Sequence, residues 1–327
     1  MKLQVPFLQL PVSFDAPALA AEIEALGESA WRPHPQGFPG NSAMPLIAEN
    51  GNPQSDSVRG RMRPTPQLER CPYLKQVLAT IGGVWGRSRL MRLSGQAEVT
   101  AHVDIDYYWR DHMRVHVPII TQPDVSFHCG EDSVHMGAGE CWIFDTWNLH
   151  RVVNSTDAAR VHLVADSVGG PGLWNLIASG RPHTVNLPGW RPQHVAPGVV
   201  PAALRLESFN VPSVMTPWEI QDQLSFVLGE VSQHPALAAL HQLAGHFHRH
   251  WRSLWAAYGD SGDGLAEYRE ALQLFATEMR RLGAGVRLRN GTLLLQAISS
   301  LVIDVALSEA DKPMLADERS ASFAQAM

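Results

Sequence analysis

From about Arg87 to Val168 the chain is written in short apolar runs, several of them alternating with polar residues: SRLMRL, AEVTAHV, MRVHVPII, VSFHC, SVHM, ECWIF, HRVVN and RVHLVADSV. A period of two predicts strands that bury one face. Eight such runs broken by turn formers predict a sandwich or barrel rather than a helical bundle. GAG at 137–139 and Ser155-Thr156-Asp157 are the clearest turns. Upstream the pattern is different. FDAPALAAEIEALGES carries apolar residues at helical spacing, with Asp15 placed as N-cap, Ala16 and Pro17 in the first turn and Gly27 as the stop. CPYLKQVLATIGG predicts a second short helix ending at glycine. Between them, from about Trp31 to Pro66, Pro, Gly, Asn and Ser dominate and only MPLIA is strand-like, so a long binding-type loop is expected.

After an irregular, Pro-rich stretch from Gly169 to Pro212, Thr216-Pro217-Trp218-Glu219 has the form of a capping box with proline at the first helical position. Helices are expected at about 217–232, 235–258, 263–283 and 291–308. In the third, Leu265, Tyr268, Leu272 and Phe275 recur at spacings of three and four. The last dozen residues are polar and expected to fray. The expected division is residues 1–210, a β domain with N-terminal helical and loop elements, and residues 211–327, a helical domain.

Composition narrows the functional classes. Twenty-six basic and 32 acidic residues give a formal net charge of -6, against a general nucleic-acid binder. No window of about 18 uninterrupted apolar residues exists, so no membrane span is expected. The opening MKLQVPFLQLPVSFD is broken by Pro6 and Pro11 and is not read as a signal peptide. Cys71, Cys129 and Cys141 are odd in number and far apart, which suggests neither a disulfide framework nor a CxxC metal site. A cytoplasmic protein fits these features. No GxSxG, phosphate-binding glycine loop or CxxC offers a starting point for hydrolase, nucleotide or thiol-redox chemistry.

The chemistry concentrates in the strand region. In His102-Val103-Asp104, residues two apart share a strand face, so both side chains can reach one ion. Such a pair arises by chance in a chain with 15 histidines. A third ligand from a distant strand is expected at His150, closing GECWIFDTWNLH. Two imidazoles and one carboxylate leave open positions on Fe(II) for a bidentate oxoacid and oxygen. Arg160 opens the strand after His150, where a guanidinium can grip the far carboxylate of 2-oxoglutarate. Arg114 and His116 also share one strand face, either as an outward polar stripe or as a second cationic site at a barrel mouth. His128 and His135 flank the turn at Gly130-Glu131-Asp132 and are secondary candidates for substrate contact. The helical histidines His241, His246, His248 and His250 lack a nearby acidic or cysteine ligand and are not read as a metal site.

HVD, RVHVPI, VHMGAGECWIFDTWNLHRVVN and ARVHLVADS together resemble the aspartyl/asparaginyl β-hydroxylase family of Fe(II)/2-oxoglutarate oxygenases, and its bacterial proline hydroxylases most. Weaker similarity runs through MPLIAENG and CPYLKQVL, so that most of residues 40–175 is covered. The resemblance implies an α+β fold with a double-stranded β-helix (jelly-roll, cupin-like) core and a helical C-terminal domain. It implies iron held by His102, Asp104 and His150, 2-oxoglutarate held by Arg160 and His116, and a substrate carboxylate at Arg114. Oxygen is the second co-substrate and ascorbate the expected activator in vitro. Family members acting on epidermal-growth-factor-like domains carry glycine where this chain has Asp104, so an amino acid, free or in a peptide, is the expected substrate. Two alternatives stay open: a cupin-like metal protein without oxygenase activity, since GECWIFDTWNLHRVVN also fits the spacing of a cupin motif, and a lipid hydroxylase of the same family. No motif in the loop at 32–66 or in the tail names a ligand, and the tail offers a surface for a homodimer.

Overall fold

The computed structural model describes residues 1–34, 37–198 and 203–307. Its strands in chain order are β1 (Phe7–Phe14), β2 (Asn41–Glu49), β3 (Val84–Leu93), β4 (Glu98–His102), β5 (Met113–Ile120), β6 (Val125–Cys129), β7 (Asp132–Val134), β8 (Glu140–Phe144), β9 (His150–Asn154) and β10 (Arg160–Ser167), with several shorter pairings at the edges. The helices are α1 (Ala16–Leu26), α2 (Pro72–Ile81), α3 (Pro171–Ala178), α4 (Pro217–Gly229), α5 (Leu237–Tyr258) and α6 (Leu265–Gly283), again with shorter turns between them.

From β3 onward the chain crosses repeatedly between two sheets. β3, β5, β8 and β10 lie in the large sheet, whose central order is β1-β8-β5-β10-β3-β2. β4, β6, β7 and β9 form the small sheet, in the order β4-β9-β6-β7. That alternation winds the strands into a double-stranded β-helix, and with its helices the protein is α+β. The eight alternating runs of the sequence are these eight strands.

Each face of the large sheet has a cover, and the two faces differ in chemistry. Val115 and Val117 of β5, Leu163 and Ala165 of β10 and Leu90 of β3 pack with Leu19 and Ile23 of α1 and Leu74, Val77 and Leu78 of α2. The intervening residues turn inward, toward the small sheet. There Phe7, Leu93, Phe127, Cys129, Trp142, Phe144 and Val152 form a second apolar cluster. With both faces covered, β10 is buried at all eight positions, including Arg160, His162 and Asp166.

The helix signals operate as read. The Asp15 side chain accepts from Ala18 N, and α1 ends at Gly27. Gly82 closes α2 in the left-handed conformation. Several elements depart from expectation. The region 31–66, expected to be a long loop with only MPLIA strand-like, carries the nine-residue β2, paired with β3. β1 was not legible because Pro11 interrupts it. The strand tolerates Pro11 at an irregularity between Gln9 and Ser13 in its pairing with β8. The stretch from Gly169 to Pro212, expected to be irregular, contains α3, started by Pro171 at its first turn.

The chain forms two compact units. Among the described residues, the first comprises 1–104 and 111–209, and the second takes 105–110 and 210–307. Within the second, the Thr216–Glu219 capping box is fully formed. Phe247 stacks on Phe275 at 4.1 Å between ring centroids, and Trp251 packs on Tyr268 at 4.6 Å. The helix expected at 291–308 is shorter, Leu294–Ile298, continued by a wider turn over Ser299–Ile303. Residue 308 and the polar last dozen lie outside the described residues.

Candidate metal centre and co-substrate pocket

β4 and β9 are neighbours in the small sheet, and their register places His150 directly opposite His102. Opposed residues on adjacent strands present their side chains to the same face, and the two imidazole centroids lie 4.2 Å apart. Asp104 follows just beyond the end of β4, its backbone N–H donating to the Thr146 carbonyl at 3.0 Å. One ligand atom from each of His102, Asp104 and His150 lies within 4.8 Å of the others. Among the described residues no other three His, Cys, Asp or Glu side chains gather in this way. The helical histidines do not.

The ring orientations are set by the backbone. Nδ1–H of His102 donates to the Thr100 carbonyl at 2.7 Å, and Nδ1–H of His150 donates to the Asn148 carbonyl at 2.9 Å. Each bond fixes the tautomer that leaves Nε2 with its lone pair facing Asp104, the arrangement a metal-binding histidine needs. Nε2 of His102 stands 3.8 Å from Asp104 Oδ1, and Nε2 of His150 stands 4.0 Å from Asp104 Oδ2. His150 Nε2 and Asp104 Oδ2 are buried without a hydrogen-bond partner. These two orphaned atoms, with His102 Nε2 beside them, form a donor set of two imidazole nitrogens and a carboxylate that suits a divalent transition metal. Burial, reinforced by the neighbouring His102, pushes the His150 imidazole down to about 3, so it is neutral and available at physiological pH.

The pocket beside these ligands opens to solvent and holds about 730 Å³ of empty space counted out beyond its mouth. Its interior is apolar where Met91, Leu93, Phe127, Phe144, Val152 and Val164 line it. Arg160 reaches into it from the start of β10 and is buried. Its Nη1 donates to the Met91 carbonyl at a long 3.4 Å, its guanidinium lies 5.1 Å from the Phe127 ring centroid, and Nε has no partner. Among the described residues no carboxylate pairs with it. Burial alone lowers its proton affinity to about 9. A cation so placed is stabilised by an incoming carboxylate.

His116 lines the same pocket, with both ring nitrogens unpartnered. Burial first, then the positive field of Arg114 and Arg160, holds it well below the usual histidine range. Arg114 is also at the pocket wall, and its guanidinium is shared: Nη1 stands 3.6 Å from Asp104 Oδ2 and Nε 3.5 Å from Asp166 Oδ1. Arg87 faces the other oxygen of Asp166 at 3.8 Å. Asp166 and Arg89, a further pocket-lining arginine, were missed in the sequence. For Asp166 the available signal was the period of two, since Arg160, His162, Val164 and Asp166 share one face of β10. His128 and His135 do not line the pocket. His128 bonds with Ser126 Oγ on the opposite face of β6 from Phe127, and His135 is exposed with Nδ1 against the Val125 carbonyl.

Residues 45–169 match the family model described as Aspartyl/Asparaginyl beta-hydroxylase. In that segment the chain is similar to the aspartyl/asparaginyl β-hydroxylase family. The chain is 31% identical over 113 residues to L-proline cis-3-hydroxylase 2 and 32% identical over 110 residues to L-proline cis-3-hydroxylase 1, both from Streptomyces sp. Each match covers 32% of this chain, and the chain spans 37% of the length of each of these curated relatives. A solved oxidoreductase of the 2OG-Fe(II) oxygenase family from Burkholderia pseudomallei superposes on 52% of this chain and 88% of its own, at 17% identity and a TM-score of 0.36. His102, Asp104, His150, Arg160, His116 and Arg114 all fall inside the matched segment.

The buried histidines have a consequence for stability. His116, His150 and His162 are all held below their ordinary proton affinity, chiefly by burial. They stay neutral in the folded protein, while the unfolded chain binds their protons near pH ~6.5. Stability is therefore fully present above that pH and is lost as pH falls below it, with a slope of about 1.4 kcal/mol per pH unit for each histidine. Urea denaturation of metal-free protein should give midpoints that drop steeply between pH 6.5 and 5.5. A flat midpoint across that interval would contradict the neutral assignment.

Proposed function

We propose that this protein is an Fe(II)- and 2-oxoglutarate-dependent hydroxylase acting on an amino acid, free or within a peptide. The observation that carries the reading is the pairing, in one pocket, of three converging metal-type donors with Arg160, a buried guanidinium without a carboxylate partner. His102, Asp104 and His150 would hold iron, two neutral donors and one anion leaving net positive charge for an anionic oxoacid. Iron(II) with 2-oxoglutarate and oxygen supplies the oxidising power that turns an unactivated C–H into C–OH.

The chain's own contribution is placement. Arg160 takes the distal carboxylate of 2-oxoglutarate in a dry setting where the charge pair is strong, and His116 contributes an N–H beside it. Phe127, Phe144, Val152 and Val164 keep water from the reacting carbon. Arg114, steadied by Asp104 and Asp166, is positioned to receive a substrate carboxylate.

A cupin-like metal protein without oxygenase activity has no use for a buried arginine at this place, and so ranks second. For the lipid-hydroxylase alternative nothing in the pocket speaks. No helix among the described residues is long and apolar enough to cross a membrane.

The test is a panel of free amino acids and short peptides, L-proline first because the Streptomyces relatives are named for it, incubated with Fe(II), 2-oxoglutarate, oxygen and ascorbate. One member should gain one oxygen with an equal yield of succinate. The reading fails if no member does so and the iron-loaded protein binds no 2-oxoglutarate.

A further inference from the structure

His162 has no part in the reading above, yet it is the most completely buried polar side chain near the pocket, at 0% exposure. It sits on β10 two residues beyond Arg160 and two before Val164, hence on the face they share. Both of those neighbours line the pocket. Opposite it in the register stand Met91 of β3 and Pro118 of β5, neither with a side chain that can hydrogen-bond it strongly. Neither Nδ1 nor Nε2 of His162 has a hydrogen-bond partner.

The neighbourhood is equally unsatisfied. Arg160 Nε and both nitrogens of His116 also lack partners. The three side chains are arranged around one ring, that of Phe127. Arg160 lies 5.1 Å from its centroid, His116 5.5 Å edge-on, and His162 5.3 Å in a stack inclined by 20°. The His116 and His162 centroids are 5.9 Å apart. Phe127 covers one face of the His162 ring, and the stack leaves the edge, where the nitrogens are, uncovered by Phe127.

Buried donors without partners are uncommon in folded proteins, because each gives up its bonds to water and regains nothing. Three such side chains around Phe127, two of them lining the pocket and His162 packed directly behind, point to a ligand that satisfies them together. The ligand must be anionic, since Arg160 is a cation, and small enough to fit against Phe127. The His162 imidazole is held neutral by burial and by Arg160 and His116 beside it. It therefore offers one N–H without adding a second buried charge.

We propose that His162 is a co-substrate-positioning residue, which with Arg160 seats the distal carboxylate of 2-oxoglutarate. Arg160 supplies the charge, and the His162 N–H fixes which way the carboxylate turns. The assignment rests on the hydroxylase reading of the site.

The experiment is calorimetric titration of anaerobic, Fe(II)-loaded protein with 2-oxoglutarate and with 2-oxovalerate, which has the same chain length but no distal carboxylate. His162→Leu should weaken 2-oxoglutarate by about tenfold, the scale of one lost hydrogen bond to a charged group, and leave 2-oxovalerate unchanged. His162→Gln, which keeps a donor, should recover most of the loss. The proposal is overturned if His162→Leu leaves 2-oxoglutarate affinity intact, or if both oxoacids weaken alike, as a purely structural histidine would require. Wild-type protein that binds no 2-oxoglutarate would overturn the hydroxylase reading as well, which separates the two failures.

Discussion

His150→Ala protein is expected to lose Fe(II) affinity by more than about a hundredfold and to form no detectable succinate. The scale follows from what surrounds the ligand. Disturbing a residue that only orients a metal-binding histidine costs about 10- to 100-fold in affinity or activity. His150 supplies a donor atom itself, and its Nε2 has no other partner. The variant should still fold, because its small-sheet pairing with His102 and Cys129 is made by the backbone. Equilibrium dialysis against Fe(II), with circular dichroism to verify the fold, checks both halves. Retained metal affinity would remove His150 from the centre.

Arg160→Met should separate stability from function. In the free protein Arg160 is a buried cation whose hydrogen bonding is one long contact to the Met91 carbonyl. Methionine keeps much of the side chain's packing against Phe127 and removes the desolvated charge. Replacing a poorly satisfied buried ion with an apolar side chain of similar volume is often neutral or stabilising. The variant should unfold at the same temperature as wild type or higher. Its affinity for 2-oxoglutarate should fall, because the distal carboxylate would be buried without its cation. Losing one partner of such a pair costs about 2–5 kcal/mol, or roughly 30-fold to several thousandfold. Iron binding should persist. Thermal denaturation alongside 2-oxoglutarate titration gives both numbers; a destabilised variant with unchanged co-substrate affinity would make Arg160 a structural residue.

The two variants also show what was readable in the chain. The strands were legible because MRVHVPII, ECWIF and RVHLVADS carry β-branched and aromatic residues in short runs bounded by turns, and such runs have few alternatives to a strand. His102 and Asp104 were legible as a pair from their two-residue spacing, although Asp104 lies past the end of β4 and is held there by its N–H bond to the Thr146 carbonyl rather than by a shared strand face. Asp166 and His162 were not, although the same spacing places both on the face of Arg160. Their significance depends on which strands become neighbours: Asp166 matters because β10 pairs with β5 in the register that sets it opposite Arg114. Period tells which face a residue takes, whereas pairing comes from the winding of the whole barrel. β1 stayed hidden for a local reason, Pro11 in its middle. Arg89 went unnoticed because SRLMRL reads equally well with its arginines in solvent, and only the cover supplied by the small sheet turns Arg89 inward.

In the proposed hydroxylase, His102, Asp104 and His150 hold a metal and Arg160 an oxoacid beside it. The most direct test of this arrangement is an anaerobic titration of the protein with Fe(II) and then 2-oxoglutarate, followed by visible absorption. The expected result is a charge-transfer band that saturates at one iron and one 2-oxoglutarate per chain, absent in His150→Ala and shifted to much higher 2-oxoglutarate concentration in Arg160→Met. Wild-type protein that binds iron but develops no band at any 2-oxoglutarate concentration, or variants that titrate like wild type, would contradict it.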